Sequence, residues 1–556
     1  MTLSHGGRRW LLPLLDLRDA KSEKEIVDAI ARARNIDGIE ESEWNFPECG
    51  KAIERLQRVI ASGERVGIFG DYDCDGITST ALLVRALLRR KARPVVRLPH
   101  RAQEGYGMKM KHVDEFAKLG VTLLFTVDTG IGCAKEIASA KERGIDTIIL
   151  DHHHVPEDPA KPFAVLHPLL SPGWKGTMPS AAGVTWSFVR ALEQAENTGW
   201  PGQTEDTVLG ALGTIADLVE LRGGNRTLVQ EGLHALSKIT SGPLATLATS
   251  ANVTSISTAR DWAFRLAPRI NAAGRMDDPM IGLKAILGDA SSLQELERLN
   301  SERQEVVREH WDEIDVPQVS ASNFLFLTSS EYTPGIVGLI AGKLSERFGK
   351  PSLVGSLQGD TITASLRSIP GYHVTEALGR AQKLLMTFGG HAQAAGCTFA
   401  ASRLEELRTV LNADISSRFS GEDLVPLLSI DALLRAEQLT KELAIALQEL
   451  EPHGQGNDKP RFVIEGARLE ELRTMGADNS HLQARVGTVR LVGFGHGSLA
   501  EKLNQGASDV TGYLTLHTWK DRTEPQFFLE DVRWGPKNSH SSLQTAQKLP
   551  VQNSNN

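Results

Sequence analysis

The stretch Arg65-Val66-Gly67-Ile68-Phe69-Gly70-Asp71-Tyr72-Asp73-Cys74-Asp75-Gly76 runs from a short apolar segment into three aspartates at alternating positions. Residues 65–69 predict a buried strand, and an amphipathic helix is expected from about Ile77 to Arg90. The same grammar repeats downstream. A strand is expected at Thr122–Val127 and ends in Asp128-Thr129-Gly130; another at Asp146–Leu150 ends in Asp151-His152-His153-His154. Helices are expected at Lys51–Ser62, Lys111–Leu119 and Ala134–Arg143, with a further strand at Pro94–Leu98. Short β-branched runs alternating with helices predict a parallel α/β sheet. In such a sheet the carboxyl ends of the strands share one edge, where ligands bind. If residues 71–75 are extended, Asp71, Asp73 and Asp75 point the same way. Gathering this much negative charge is unfavourable unless cations neutralise it. Carboxylates with one or two imidazoles suit Mn²⁺ or Mg²⁺ better than zinc, and two such ions can activate water and stabilise the leaving oxygen of a phosphodiester.

The rest of the chain constrains this reading. Its 556 residues are too many for one core and predict three or four domains. Cys49, Cys74, Cys133 and Cys397 lie far apart with no CxxC spacing, which excludes a zinc framework and fits a reducing cytoplasm. No apolar run reaches the roughly 20 residues of a membrane span. The Arg8-Arg9-Trp10-Leu11-Leu12 start is interrupted by Pro13 and Asp16, so it does not read as a signal peptide. The net charge of −8 argues against a nucleic-acid coat protein but leaves room for an enzyme with a local basic path.

Residues 1–45 read as polar and helical, and 181–240 as mostly helical. A charged helix from about Ser291 to Ile314, with Leu293, Leu296, Leu299, Val306 and Val307 apolar, predicts an exposed connector. A second α/β segment begins with strand Phe324–Leu327 and helix Gly335–Phe348. After a helical Leu433–Leu450, short strands at Thr488–Phe494, Asp509–His517 and Gln526–Val532 predict a small β-barrel. The Ser-, Gln- and Asn-rich tail reads as disordered.

These strings resemble the motifs of the DHH phosphoesterases. Asp71–Gly76 resembles the first motif, Asp128 the second, Asp151-His152-His153 the one that names the family, and Asp217 in Gly213-Thr214-Ile215-Ala216-Asp217 the fourth. The resemblance narrows to the RecJ family through Pro99-His100-Arg101 with Glu104-Gly105-Tyr106-Gly107, Pro268–Arg275, Ser365-Leu366-Arg367-Ser368, Gly389–Gly396 and Gly454-Gln455-Gly456-Asn457. It covers roughly 45 to 534.

The resemblance implies an N-terminal helical segment (1–45), a parallel-sheet DHH catalytic domain (46–287) and a long connector helix (288–316). A second α/β, DHH-associated domain (317–415), an OB-like nucleic-acid-binding barrel (425–534) and a disordered tail (535–556) follow. It makes Asp73, Asp75, Asp128, His152 and Asp217 ligands of two Mn²⁺ or Mg²⁺ ions, with Asp71 and Asp151 ligands or their supports. His153 would touch the scissile phosphate, and His391 a phosphate oxygen or a metal-bound oxygen. Arg101, Arg275 and Arg367 are forks that can hold a phosphate bidentately, with the Ser365 hydroxyl beside them; the resemblance makes that a 5′-terminal phosphate. Gly389 and Gly390 let backbone approach a ligand or allow tight helix–strand packing, and Tyr106 can stack on a base or sugar or belong to a structural Gly-Tyr-Gly loop.

Three departures stand out: Tyr332-Thr333-Pro334-Gly335 where Trp-His is frequent, which is given no role, His167 before Pro168 where Asn is common, and Cys74 in the place of a small residue, which reads as a packed side chain rather than a soft ligand for Zn²⁺. The implied activity is a 5′ to 3′ exonuclease of single-stranded DNA in repair and recombination, in the cytoplasm, with a helicase or single-strand-binding protein as partner and no membrane. Two alternatives stay open: a DHH phosphodiesterase of small nucleotides, and a non-catalytic DNA-binding scaffold. The segment after residue 455 speaks against the first and the intact carboxylates against the second.

Overall fold

The strand that ends at Gly70 lies inside a five-stranded, all-parallel sheet. The order across it is Val95–Arg97, Arg65–Gly70, Val121–Val127, Asp146–Leu150, Ala164–Leu166. Arg65–Gly70 has its next strand on one side and the one after on the other, so the winding reverses beside it and opens a crevice at the strands' carboxyl ends. Ile68, Phe125, Ile148 and Leu150 turn to one face, under helices Cys74–Arg89, Ala181–Glu196 and Gln203–Ala216. Phe69, Leu124 and Ile149 turn to the other, against Phe116 and Ile137 of helices Met110–Lys118 and Ala134–Glu142. Both faces are therefore buried, which explains why these strands read as continuous apolar runs.

This is a computed structural model, and it describes residues 4–534 apart from 12–14, 37–43, 102, 175, 198, 254–256, 315–321, 420–423 and 520–521. The tail expected to be disordered lies outside the described residues. The chain divides into two units: Met1–Asp37, Gly421–Glu451 and Asp458–Asn556 form one, Gly38–Ser420 and Pro452–Asn457 the other.

In the larger unit, helix Ala290–Asp312 is less exposed than a plain connector. Leu296 joins the core of the first sheet, and Val307 joins a second core with Ile336, Ile340 and Val354. The second sheet runs Thr387–Gly390, Ala394–Ala400, Thr361–Arg367, Ser352–Gln358, Leu325–Ser329. Only its last pair is parallel.

The smaller unit corrects the reading of residues 1–45 as helical. Strands Arg9–Leu11 and Leu15–Asp16 precede the helix Glu23–Arg34, and both pair with strands from beyond residue 420. Such pairing across the length of the chain leaves no local periodicity to read. The helical stretch expected at Leu433–Leu450 holds an α-helix only at Lys441–Ala446. The expected barrel strands join a mixed sheet of eight, with Glu470–Met475 at one edge and Leu15–Asp16 at the other. Phe462, Leu491, Val510 and Phe527 fill its core. Among the described residues no helix is long and apolar enough to cross a membrane.

Candidate active site

The aspartates after Gly70 do not continue the strand. Asp73 caps helix Cys74–Arg89, its Oδ1 accepting the amides of Asp75 at 3.0 Å and Gly76 at 3.1 Å. Asp75 therefore sits in the first helical turn, and the alternation expected of an extended segment is replaced by a turn. Gly76 is required there, since a Cβ would stand 2.6 Å from the Asp71 carbonyl oxygen. Asn271, from the segment Pro268–Arg275, accepts the Cys74 amide at 2.8 Å. Cys74 itself is buried in the core, so packing accounts for it.

Three strand ends and one helix end bring the carboxylates together. Ligand atoms of Asp71, Asp73 and Asp128 lie within 4.8 Å of one another, as do those of Asp75, His152 and Asp217, and those of Asp128, His152 and His153. Asp128 adopts φ 59°, a left-handed conformation that non-glycine residues seldom take and that clusters at functional sites. Asp217 caps the end of helix Gln203–Ala216. Asp75 is almost wholly buried, and its two oxygens accept the amides of Ala181 and Ala182 at 2.8 and 2.9 Å, the start of helix Ala181–Glu196. The sequence reading missed this anchor, although Ser180 ahead of an apolar helix is a capping signal.

Burial, then Asp73, pushes Asp75 up to about 7. Asp71 is raised well above the carboxylate range by burial and Asp73, and Asp128 and Asp217 by burial and Asp75. His152 is pushed down to about 3 by burial and by His153, so its imidazole is neutral. The buried polar atoms without a hydrogen-bond partner include two of this cluster's ligand atoms, Asp71 Oδ1 and His152 Nε2. Orphaned acceptors of this kind are rare in folded proteins. A neutral imidazole nitrogen and several oxygens around one point form a donor set that suits a hard or borderline divalent cation.

Asp151 is occupied differently. It is fully buried; Oδ2 accepts the Ile131 amide, and Oδ1 accepts the amides of His152 and His153 and contacts His153 Nδ1 at 2.8 Å. Burial opposes its charge, but the hydrogen bond from His153 prevails and holds it below the usual carboxylate range. The same bond raises His153 against burial. Tyr106 hydroxyl lies 3.2 Å from His153 Nδ1 and donates to the Asp128 carbonyl at 3.2 Å. His391, from beside the second sheet, stacks on His153 with ring centroids 5.9 Å apart. Gly389 and Gly390 end the edge strand just before it. His154 is exposed and outside these contacts.

The arginines form a second focus in the same unit. Arg275 donates to the Gly335 carbonyl at 3.2 Å, and Arg367 donates to Ser365 Oγ at 3.0 Å. Arg101 lies over the Tyr72 ring, 5.0 Å from its centroid. Burial, then Arg101, Arg367 and Arg303, push Arg275 down to about 9, and burial and Arg101 lower Arg367. None of these three neighbouring guanidinia forms an ion pair with a carboxylate among the described residues, an arrangement that suits an anion.

Sequence comparison recognises three successive domains: "DHH family, N-terminal domain" over residues 65–214, "DHHA1 domain" over 321–417 and "RecJ OB domain" over 430–531. The single-stranded-DNA-specific exonuclease RecJ of Thermus thermophilus is 34% identical over 493 residues, covering 87% of this chain and 70% of that protein. The chain belongs to the RecJ family. The RecJ of Bacillus subtilis is 32% identical over 499 residues, and the chain spans 63% of its length. A crystal structure of the Thermus thermophilus RecJ in complex with Mn²⁺ superposes with a TM-score of 0.83 at 29% identity, covering 95% of this chain and 80% of that one. Its Mg²⁺ complex superposes with a TM-score of 0.75 at 27% identity, covering 95% and 79%. RecJ structures thus hold divalent cations, the class of ion that the donor set of this cluster suits.

The unit that carries the RecJ OB domain has its own exposed feature. Phe494, 60% exposed, stacks with Phe528 at 6.0 Å, and Phe528 stacks with Tyr513 at 5.2 Å. The Lys459 ammonium lies 4.6 Å from the centre of the Tyr513 ring. Arg490 pairs across strands with both Gln526 and Arg485. In the sequence Phe494, Tyr513 and Trp519 offer candidate stacking groups with Arg485, Arg490 and Lys520 nearby; the Trp519 side chain and Lys520 lie outside the described residues.

Proposed function

We propose that this chain hydrolyses phosphodiester bonds of single-stranded DNA from the 5′ end, with two Mn²⁺ or Mg²⁺ ions, in DNA repair and recombination. The observation that carries the proposal is the pair of orphaned acceptors, Asp71 Oδ1 and His152 Nε2, inside a cluster of buried carboxylates. Asp73, Asp75, Asp128, His152 and Asp217 would hold the ions, with Asp71 supplying a further oxygen. Bound divalent cations supply an activated water and neutralise charge on the leaving oxygen.

The remaining groups bind and orient. Asp151 has spent its oxygens on local donors, so it acts by fixing the His153 tautomer. With Nδ1–H directed at Asp151, His153 presents Nε2 to the scissile phosphate. His391 stacks on that ring and brings a second imidazole to the same phosphate. Tyr106, whose hydroxyl lies 3.2 Å from His153 Nδ1, lines the path of the nucleotide. Gly389 and Gly390 leave backbone open to the strand. Arg101, Arg275, Arg367 and Ser365 hold the 5′-terminal phosphate, so a cut is measured from the strand's end. The row Phe494, Phe528, Tyr513 offers stacking surfaces for successive bases. A helicase or a single-strand-binding protein is the partner such an enzyme needs to obtain single strands.

The test is digestion of end-labelled single- and double-stranded DNA with Mn²⁺, Mg²⁺ or chelator. Metal-dependent release of nucleotides from the 5′ end of single strands is expected. Activity confined to dinucleotides would favour a small-nucleotide phosphodiesterase, and metal-independent binding without cleavage would leave only a scaffold.

A further inference from the structure

Asp217 is followed by only five residues, Leu218 to Arg222, before the next helix, Gly223–Leu236. Leu218 is 66% exposed and adopts φ 60°, a conformation disfavoured for a bulky residue. Such a backbone persists only where its surroundings hold it. Part of the hold is local: Leu221 is buried in the core, and Asn225 donates to the Glu220 carbonyl at 3.0 Å.

The rest comes from far along the chain. The Leu221 amide donates to the Gln455 carbonyl at 2.8 Å. The Arg222 guanidinium donates twice to the Gly456 carbonyl, at 3.2 and 3.1 Å. Gly454 and Asn457 exchange both backbone hydrogen bonds at 3.0 Å, and the buried Asn457 amide closes the turn on the Pro452 carbonyl at 2.9 Å. A Cβ on Gly454 would stand 2.6 Å from Leu221 Cδ1, and one on Gly456, at φ 72°, 3.1 Å from Glu220 Cβ. The Gly-Gln-Gly-Asn motif is thus shaped to lie against this loop, although in sequence it leads into the OB domain's strand Phe462–Ala467.

We propose that Pro452–Asn457 is a strap that positions the Asp217 loop for metal binding, with Arg222 as its positioning residue. This rests on the reading of Asp217 as a metal ligand. Groups that orient ligands without touching the ion typically alter metal affinity 10- to 100-fold. A truncation near Leu450 would remove the strap together with the OB domain's strands, so point substitutions in the full chain are the appropriate probes.

The experiment measures Mn²⁺ binding by calorimetry on the full chain without DNA, for wild type, Arg222→Ala, Arg222→Lys and Gly456→Ala. Arg222→Ala and Gly456→Ala should weaken Mn²⁺ binding about 10- to 100-fold. Arg222→Lys, which keeps a donor for the Gly456 carbonyl, should recover part of the loss. At limiting Mn²⁺, kcat on a single strand should fall while KM for the strand stays constant, and excess Mn²⁺ should restore turnover. Unchanged Mn²⁺ affinity in both Arg222→Ala and Gly456→Ala overturns the strap. A wild-type chain that takes up no Mn²⁺ overturns instead the functional reading on which the strap depends.

Discussion

The carboxylate cluster and the arginine pocket are each an assembly of like charges, yet they relieve the repulsion in opposite ways. Aspartates crowded in a buried site can take up protons, and Asp75 at about 7 does so near neutral pH. Arginines can scarcely lose theirs: even Arg275, pushed down to about 9, stays charged at pH 7. The first cluster can therefore take up protons when empty and give them up to a cation. The second keeps its charge and calls for an anion. The lesson is that a metal centre built on such carboxylates would be gated by protons, whereas the arginine pocket would be a standing electrostatic trap for the proposed phosphate.

The strongest way to break this comparison is Asp128→Ala. Turnover should fall by several orders of magnitude, because metal binding and transition-state charge stabilisation are lost together. The metal-free protein should melt no lower than wild type, since a like-charged neighbour is gone. Stopped or single-turnover cleavage assays beside thermal melts check both halves. A folded variant with near-normal turnover would remove the two-metal reading.

Arg367→Ala probes the opposite cluster and should have the next largest effect. Binding of strands with a 5′-phosphate should weaken by about 2–4 kcal/mol, the range for removing one partner of a buried charge pair. Strands with a 5′-hydroxyl should lose much less. Kinetics on the two substrates decide it, and equal losses on both would take the 5′-phosphate out of the pocket.

A third kind of surface, the aromatic row, sharpens the contrast because it carries no charge to neutralise. Phe494→Ala should cost about 1–3 kcal/mol in binding a long single strand, and almost nothing for an oligonucleotide too short to reach it. Affinity against strand length at matched salt is the measurement. A loss independent of length would make Phe494 structural.

The smallest effect is the most diagnostic of proton gating. Mn²⁺ requires ionised carboxylates, so its affinity should fall about tenfold per unit as pH drops below about 7, the value set by Asp75 if one proton is displaced. The apo fold should respond with the opposite sign. Asp75 lies above its unfolded value of 3.8, so the folded chain binds the extra proton and gains stability as pH falls from about 7 toward 4. Binding of a phosphate monoester by the arginines should not weaken over the same drop. Titrations of Mn²⁺ and of a 5′-phosphorylated dinucleotide at several pH values test the pair; parallel profiles would refute the distinction.

Much of this was legible beforehand, for a definite reason. The strands Arg65–Gly70, Val121–Val127 and Asp146–Leu150 are buried on both faces, so their apolar runs announce them, and chemistry in a parallel sheet belongs at the ends where such runs stop. The local sequence therefore determined the α/β class, the carboxylate-bearing loops and the DHH resemblance. What it determined less well depends on partners distant in sequence. That Asp75 leans on Ala181 and Ala182, that one Asp151 oxygen is taken by the Ile131 amide, and that Asn271 holds the Cys74 amide are contacts between segments no periodicity links. Residues 1–45 read as helical because the strands Arg9–Leu11 and Leu15–Asp16 within them are short and pair with segments beyond residue 420. The Gly-Gln-Gly-Asn motif was read with the strands that follow it, yet it packs against the loop after Asp217. Backbone hydrogen bonds within a strand or helix leave a periodic trace in side-chain pattern. Those made between remote loops leave none, and only the folded chain reveals which carbonyl each amide has found.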